Sequence, residues 1–463
     1  MRSVSERRGL RRMIRCIAAA GMLICTGAQA LDGDYDLSWG NAGRLQLDVA
    51  AGSDQGRLLL IQPDGKLLMA GTCRYNSQPT MCVTRQLPNG SYDTSFGPAN
   101  HPGRILFRES LDAGPAALVA GALTPTGAVF VGRTNGGSSR DAALIYRFEG
   151  NGVVTATGFS ATNDLNTDYL PAGIAVQPDG NLVLLGRLHD LLGATYTFAV
   201  SRILADFSNF DTGFGSAGNT RFSFGATGAA EPRALALQRD GKILVAGSYD
   251  SQAAIARLLP GGSLDNDSLS GFGSNGRIVM TIGTTSVINA ILPDRDGRII
   301  IAGGTYGAVF PGASNDYFVN RLTARGAQDD FFGASCPPPL CHGFPRIVFF
   351  SLGGAYYDEA QALALQSDGK ILVSGFSTGT SDVSYFSVAR LDRYGAFDPA
   401  FGSNGMSYGR YGPPNDNHDA ASAIAIGNGG IMIGGYSQQA TGQEFSFGMA
   451  KLQLDSIFVG GME

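Results

Sequence analysis

Arg233-Ala234-Leu235-Ala236-Leu237-Gln238-Arg239-Asp240-Gly241-Lys242-Ile243-Leu244-Val245-Ala246 is the stretch that decides the fold of this chain. Residues 233–238 alternate in the period of two expected of a half-buried strand. Arg239-Asp240-Gly241 is a hairpin turn, with glycine supplying the positive φ that such turns need. Ile243 to Ala246 is continuously apolar, as in a strand buried on both faces. Downstream, Ala253–Leu259 reads as a third strand. Ser263-Leu264-Asp265, Gly271-Phe272-Gly273 and Gly276 form a second elaborate turn, and Gly276–Met280 a fourth strand.

The same phrase recurs. Gln62-Pro63-Asp64-Gly65-Lys66, Gln177-Pro178-Asp179-Gly180-Asn181 and Gln366-Ser367-Asp368-Gly369-Lys370 repeat it closely, and Thr124–Gly127, Asp294–Gly297 and Gly427–Gly430 repeat it loosely. The turn glycines 65, 127, 180, 241, 297, 369 and 429 lie 62, 53, 61, 56, 72 and 60 residues apart. A four-stranded antiparallel unit repeated seven times is the signature of an all-β, seven-bladed β-propeller. The seventh copy stops soon after Leu454-Asp455 without a fourth strand, and residues 43–49 supply one. An N-terminal strand completing the last blade would close the ring and remove its exposed edges. A ring that completes itself calls for no second subunit, so a monomer is expected.

The recurring pattern, with ARL after the second strand and D…FGxxG after the third, resembles the delta-60 repeat of secreted and surface proteins of bacteria. The resemblance spans essentially all of residues 31–463. Copy two departs from it: Asn151-Gly152-Val153-Val154-Thr155 carries neither the Asp nor the Phe-Gly. The resemblance implies a repeat-built β architecture and export, and no particular activity, catalytic residue or ligand.

Residues 1–30 read as a secretory signal. Six arginines precede a mostly apolar Cys16–Cys25, and Ala28-Gln29-Ala30 suits cleavage after Ala30. Arg7-Arg8 and Arg11-Arg12 lack the surroundings of a twin-arginine signal, and Cys25 lacks the small residue that precedes a lipidated cysteine. No segment reaches the twenty apolar residues of a membrane span. Without residues 1–30 the chain holds 28 basic and 38 acidic side chains, a formal charge of −10. Such a balance, without basic runs, excludes nucleic acid as the expected partner. It leaves an envelope polysaccharide or protein, met in the periplasm, at the cell surface or outside the cell.

Four cysteines remain. Cys73 with Cys82, and Cys336 with Cys341, are close enough in sequence to form two disulfides in an oxidising compartment, the first stapling a hairpin loop. Their spacing does not suit a zinc site.

A residue present once per blade holds blades together more often than it performs chemistry. Arg85, Arg147, Arg202, Arg257, Arg321, Arg390 and Lys451 form such a set on the third strands, and Asp93, Asp211, Asp265, Asp329 and Asp398 follow five of them by eight or nine positions. They read as ion pairs between strand and turn, with a ring of anion-binding arginines as the sharper alternative. The turn aspartates read as caps of their own turns. No cofactor is called for; Asp32, Asp34 and Asp36 are weak calcium candidates, since Leu37 and Gly43 stand where a hand-type loop needs glycine and glutamate. Gly375-Phe376-Ser377-Thr378-Gly379 matches a nucleophile motif, with His418 downstream, but falls between two strands rather than at a strand-to-helix turn.

Function is expected where blades differ: the second-to-third-strand loops and the blade connections on the face opposite the Asp-Gly hairpins. These include Asn163–Tyr169, Leu188–Tyr196, Thr305–Tyr317, the cysteine loop to Glu359, and Tyr411–Asp419. Tyr169, His189, Tyr306, Asp316, Tyr317, Tyr357, Tyr411 and His418 are their candidate ligand-facing residues. The expected function is a non-catalytic binding or scaffold module. A hydrolase or lyase acting on polysaccharide or ester at the channel mouth is the alternative, and a purely structural surface protein the third.

Overall fold

The computed structural model describes residues 32–50, 52–107, 116–134, 143–150, 152, 154–159, 167–190, 195–226, 228–267, 269–307, 315–333, 347–350, 357–378, 383–412, 418–438 and 444–454. Twenty-eight strands form seven four-stranded antiparallel sheets. In six blades the strands follow chain order from inner to outer. In the seventh, Arg44–Leu47 pairs with Phe445–Gln453 as the outer strand, in the register Arg44↔Ala450 to Leu47↔Phe447. The protein is a seven-bladed β-propeller closed by its N-terminal strand.

The Asp-Gly turns close the inner hairpins as their chemistry dictates. Gly65, Gly180, Gly241 and Gly369 lie at φ of +79° to +87°, and the aspartate before each accepts the amide two residues on, at 3.0–3.2 Å. Blade 5 differs: Asp294, not Asp296, accepts the amides of Asp296 and Arg298, both at 2.9 Å. The second strands are sealed, Leu67–Ala70 and Ile243–Ala246 having no more than traces of solvent contact. Their side chains fill seven apolar cores, one at each blade junction.

The arginine set belongs to these junctions. Arg85, Arg202, Arg257, Arg321 and Arg390 each place Nε 2.7–2.9 Å from the carboxylate of Asp93, Asp211, Asp265, Asp329 and Asp398. Each guanidinium lies 4.5–5.0 Å from the ring centre of the turn phenylalanine (Phe96, Phe214, Phe272, Phe332 or Phe401). It also reaches the following blade: Arg85 donates to the Gly150 carbonyl, Arg202 to Pro260, Arg257 to Ala324 and Arg321 to Arg393. Arg390 meets the Asp32 carboxylate instead, at 2.5 Å. The arginines are therefore inter-blade latches, and Arg257 and Arg390 also border spaces between the hairpins. Blade 2, which lacks the motif, pairs Arg147 with the exposed Glu149 at 3.2 Å, and the Arg147 guanidinium lies 5.4 Å from the ring centre of Phe207 in the next blade.

The N-terminal segment is a displaced copy of the same turn. Lys451 pairs with Asp36 at 2.9 Å, Trp39 takes the place of the phenylalanine at 2% exposure, and its indole Nε1 donates to the Pro88 carbonyl at 3.0 Å. The Gly40 amide donates to Asn89 of blade 1, the bond Gly273 makes to Arg325 and Gly333 to Tyr394 in neighbouring blades. Asp32 and Asp36, the calcium candidates, are thus held by Arg390 and Lys451, while Asp34 accepts the Gln453 amide through its backbone. Among the described residues no group of three or more His, Cys, Asp or Glu side chains converges on a metal-sized space.

Cys73 and Cys82 form a disulfide with Cα atoms 5.9 Å apart. It does not staple the loop, as expected, but links the strands within the buried core: the connection is a two-residue turn at Asn76-Ser77, both at positive φ. Cys336 and Cys341 lie outside the described residues.

Candidate functional site

Every inner strand carries one β-bulge, at the same point in all seven blades. A bulge adds a residue to one strand and re-aims its side chain. The extra residues are Arg57, Val119, Ala172, Arg233, Asn289, Gln361 and Ser422, and all seven line one cavity of about 480 Å³. Arg133 and Arg187, near the ends of the second strands of blades 2 and 3, join them with Glu231. Since inner strands run toward the Asp-Gly hairpins, these residues mark the mouth of the channel at the opposite, variable-loop face.

The mouth is divided by charge. Blades 1 to 4 each contribute one arginine: Arg57, Arg133, Arg187 and Arg233. Where the bulge residue is the small Val119 or Ala172, the arginine comes from the adjoining second strand. Blades 5 to 7 contribute Asn289, Gln361 and Ser422. Arg187 is ion-paired with Glu231 and lies 4.9 Å from the Tyr196 ring centre. Asn289 Nδ2 donates to Glu359 Oε1 at 2.6 Å and to the Ala360 carbonyl at 2.9 Å. Tyr306 Oη donates to Glu359 Oε2 at 3.1 Å, and its ring meets that of Tyr357 edge-on. Burial and the Glu359 carboxylate raise the Tyr306 phenol well above its ordinary value, so it stays a neutral donor.

Of the eight expected ligand-facing residues, four remain accessible. Tyr357 is exposed, and Tyr306, His189 and His418 are half-buried. His189 stacks on Tyr196 with centroids 4.3 Å apart, and His418 Nδ1 lies 3.3 Å from Ser384 Oγ. The other four are corrections: Tyr169, Asp316 and Tyr317 are 1% exposed and Tyr411 3%. Tyr169, Asp316 and Tyr317 sit where a strand has already begun, and Tyr411, just past the strand that ends at Gly409, packs on Phe386 in a buried core. Tyr317 Oη bonds Ser387. Ser377 of the nucleophile motif is a buried strand residue that bonds Ser387 at 3.3 Å, while His418 meets Ser384.

Among the described residues two carboxyls titrate well above the usual range, and neither lines the mouth. Asp316 is pushed up to about 6 by burial and the nearby Asp358. Asp54 is raised to about 7 by burial, against the pull of the Ala50 and Val49 amides that it accepts at 2.9 and 2.7 Å. Asp54 thereby pins the crossing from the closing strand to blade 1. Its pKa in the folded chain exceeds the unfolded value of 3.8, so its contribution is full below about pH 4 and is lost as the pH rises through 7. Asp54→Asn keeps an acceptor oxygen without the charge. We expect this variant to be more stable than wild type at pH 8, by an unfolding free energy on the order of 2–4 kcal/mol and hence with a higher melting temperature, and to flatten the fall in stability between pH 5 and 8. A lower melting temperature at pH 8 would contradict this.

The opposite face has two further spaces, of about 480 and 800 Å³, lined by the Asp-Gly hairpins of blades 4 to 7. Their aspartates are committed to turns and to Lys242, Arg298 and Lys370, which leaves the mouth as the candidate site.

The ring, the bulges and the latches place the chain in the class of repeat-built β-propellers. Residues 62–96, 238–267 and 366–401, each running from an Asp-Gly hairpin into the arginine–aspartate turn, match a family described as a domain of unknown function (DUF5122) beta-propeller. No curated protein matches the sequence. Among solved structures, the polysaccharide lyase Uly1 is similar at 12% identity over 98% of this chain and 96% of that one, with a TM-score of 0.47. A protein of unknown function from Dyadobacter fermentans is similar at 8% identity, 89% and 100% coverage, and 0.41. A GH43_1 enzyme from Xanthomonas citri complexed with xylose gives 15%, 63% and 88%, and 0.29. Likenesses at this level carry no argument about what this chain does.

Proposed function

We propose that this protein is an exported, non-catalytic binding propeller that takes its ligand at the channel mouth of the variable-loop face. One observation carries the reading: seven bulges at one register turn seven otherwise dissimilar side chains into a single cavity. The blades share their hairpin turns, and most share the latch, while the residue at the bulge varies among the blades, as expected of a scaffold that carries a site. The cavity lies within the range of about 300–1,000 Å³ usual for small ligands, a size for one end or unit of an envelope polymer or a protruding loop. Export rests on the basic and apolar run of residues 1–30, with cleavage after Ala30, and on the Cys73–Cys82 disulfide, a bond of oxidising compartments. Among the described residues no helix is long and apolar enough to cross a membrane.

The alternative, a lyase or hydrolase at the same mouth, is favoured by the Tyr306–Glu359–Asn289 network. Against it, the raised Tyr306 phenol is a poor base, and the carboxyls raised by burial lie elsewhere. The test is to incubate the mature protein with envelope polysaccharide fractions and to follow both retention and polymer length. Saturable retention of full-length polymer is the expected result. Time-dependent shortening would overturn it in favour of the enzyme.

A further inference from the structure

The mouth also indicates what kind of ligand it takes, an inference that rests on the binding reading above. The chain is acidic overall, with a formal charge of −5, yet four guanidinium groups converge on this one cavity against Glu231, with Glu359 held behind Asn289. Concentrating cations in a recess of an acidic protein is costly for folding and raises the local concentration of anions. Arg57 and Arg233 are exposed to the cavity, so neither serves the core, and Arg233 also bears electrostatically on the Tyr306 phenol. Arginine presents a planar fork of donors that matches a carboxylate or sulfate in two bonds at once.

The other half of the ring is neutral and polar. Gln361 and Ser422 offer an amide and a hydroxyl, Asn289 presents its amide oxygen while its nitrogen bonds Glu359 and Ala360, and Tyr306 and Tyr357 form an aromatic wall beside them. An anionic group on one side with hydroxyls and an apolar ring face on the other is the chemistry of an acidic sugar. A bare phosphate chain would leave the neutral half unused, and an acidic peptide, whose backbone amides could meet the same side chains, is the competing ligand that the test includes. We infer that the channel mouth binds a saccharide unit bearing a carboxylate or a sulfate, its charge on Arg57 and Arg233 and its hydroxyls toward Asn289 and Gln361.

Calorimetric titration of the mature protein with an oligogalacturonate, a sulfated oligosaccharide of equal length, the fully methyl-esterified oligogalacturonate and poly-glutamate tests this. The expected result is binding of at least one acidic saccharide, weakening with salt and absent for the neutral ester, with the carboxylated and sulfated arms identifying the anion. Arg57→Ala/Arg233→Ala should lower that affinity about tenfold or more. Arg239→Ala, which removes an exposed arginine from the opposite face, should leave it unchanged. Tighter binding of the ester or of poly-glutamate, or full affinity in the double variant, overturns the inference but leaves a binding propeller. Failure of all four ligands, and of every envelope fraction, overturns both. Melting temperatures of the variants are measured alongside, so that loss of binding is read only on folded protein.

Discussion

Removing residues 32–47 from the mature protein is expected to lower its melting temperature by about 10 °C or more and to drive it into higher oligomers than the intact chain forms. The segment contributes the outer strand of blade 7, and without it Phe445–Gln453 becomes a bare edge open to pairing with another copy. Trp39 leaves a core shared with Met69, Met432 and Phe447; losing a buried aromatic side chain costs about 3–5 kcal/mol. Arg390 loses the Asp32 carboxylate and Lys451 loses Asp36. Together these losses reach the scale of the whole stability of a typical domain, about 5–15 kcal/mol. Calorimetry and size-exclusion chromatography read the two effects, and a synthetic peptide of residues 32–50 added in excess should reverse both. An unchanged melting temperature would mean that the ring is held without its closing strand.

The closing strand was legible because an absence in copy seven matched a surplus at the N-terminus. The Asp-Gly turns and the arginine–aspartate pairs were legible for a related reason: each is local chemistry at fixed spacing, repeated often enough to outweigh coincidence. The ligand-facing residues were less so. Tyr169, Tyr317 and Tyr411 lie at loop–strand boundaries, where a shift of one or two positions decides between solvent and core, and aromatic composition alone cannot make that choice. The ring at the mouth was missed because a bulge has no local signature; Arg57, Val119, Ala172, Arg233, Asn289 and Gln361 are unlike one another. Their common feature is position, each eight residues before its turn glycine. Reading that column across the copies would have found them. The latch was legible only in part: the aspartate partner followed from spacing, whereas the bond to the next blade needed the ring.

That bond makes Arg390 the position where a single substitution should cost most. Its guanidinium is 1% exposed and sits between two carboxylates, Asp398 at 2.9 Å and Asp32 at 2.5 Å, with the Phe401 ring beneath. Arg390→Ala strands the buried Asp32 and leaves Asp398 with Lys370 as its cation, a loss of about 3–5 kcal/mol, read as the free energy of chemical unfolding. Arg147→Ala in blade 2, which loses an exposed partner in Glu149 and the Phe207 ring contact, should cost only about 1–2 kcal/mol. Similar losses at the two positions would mean that the latch does not stabilise the ring. The pH dependence separates the cases further. Burial raises the Asp398 pKa, but bonds from Lys370 and the Ala400 amide and the charge of Arg390 outweigh it, so the group titrates below its ordinary 3.8. Its stabilisation is therefore present above that value and lost as the pH falls through the folded pKa. Arg390→Ala removes part of this term, so the variant should lose less stability than wild type on acidification below pH 4. The double variant Arg390→Ala/Asp32→Ala should cost less than the sum of its single substitutions, because the second removes a charge that the first has stranded. Additive losses would instead mean that Asp32 closes the ring through its backbone bond to Gly402 alone.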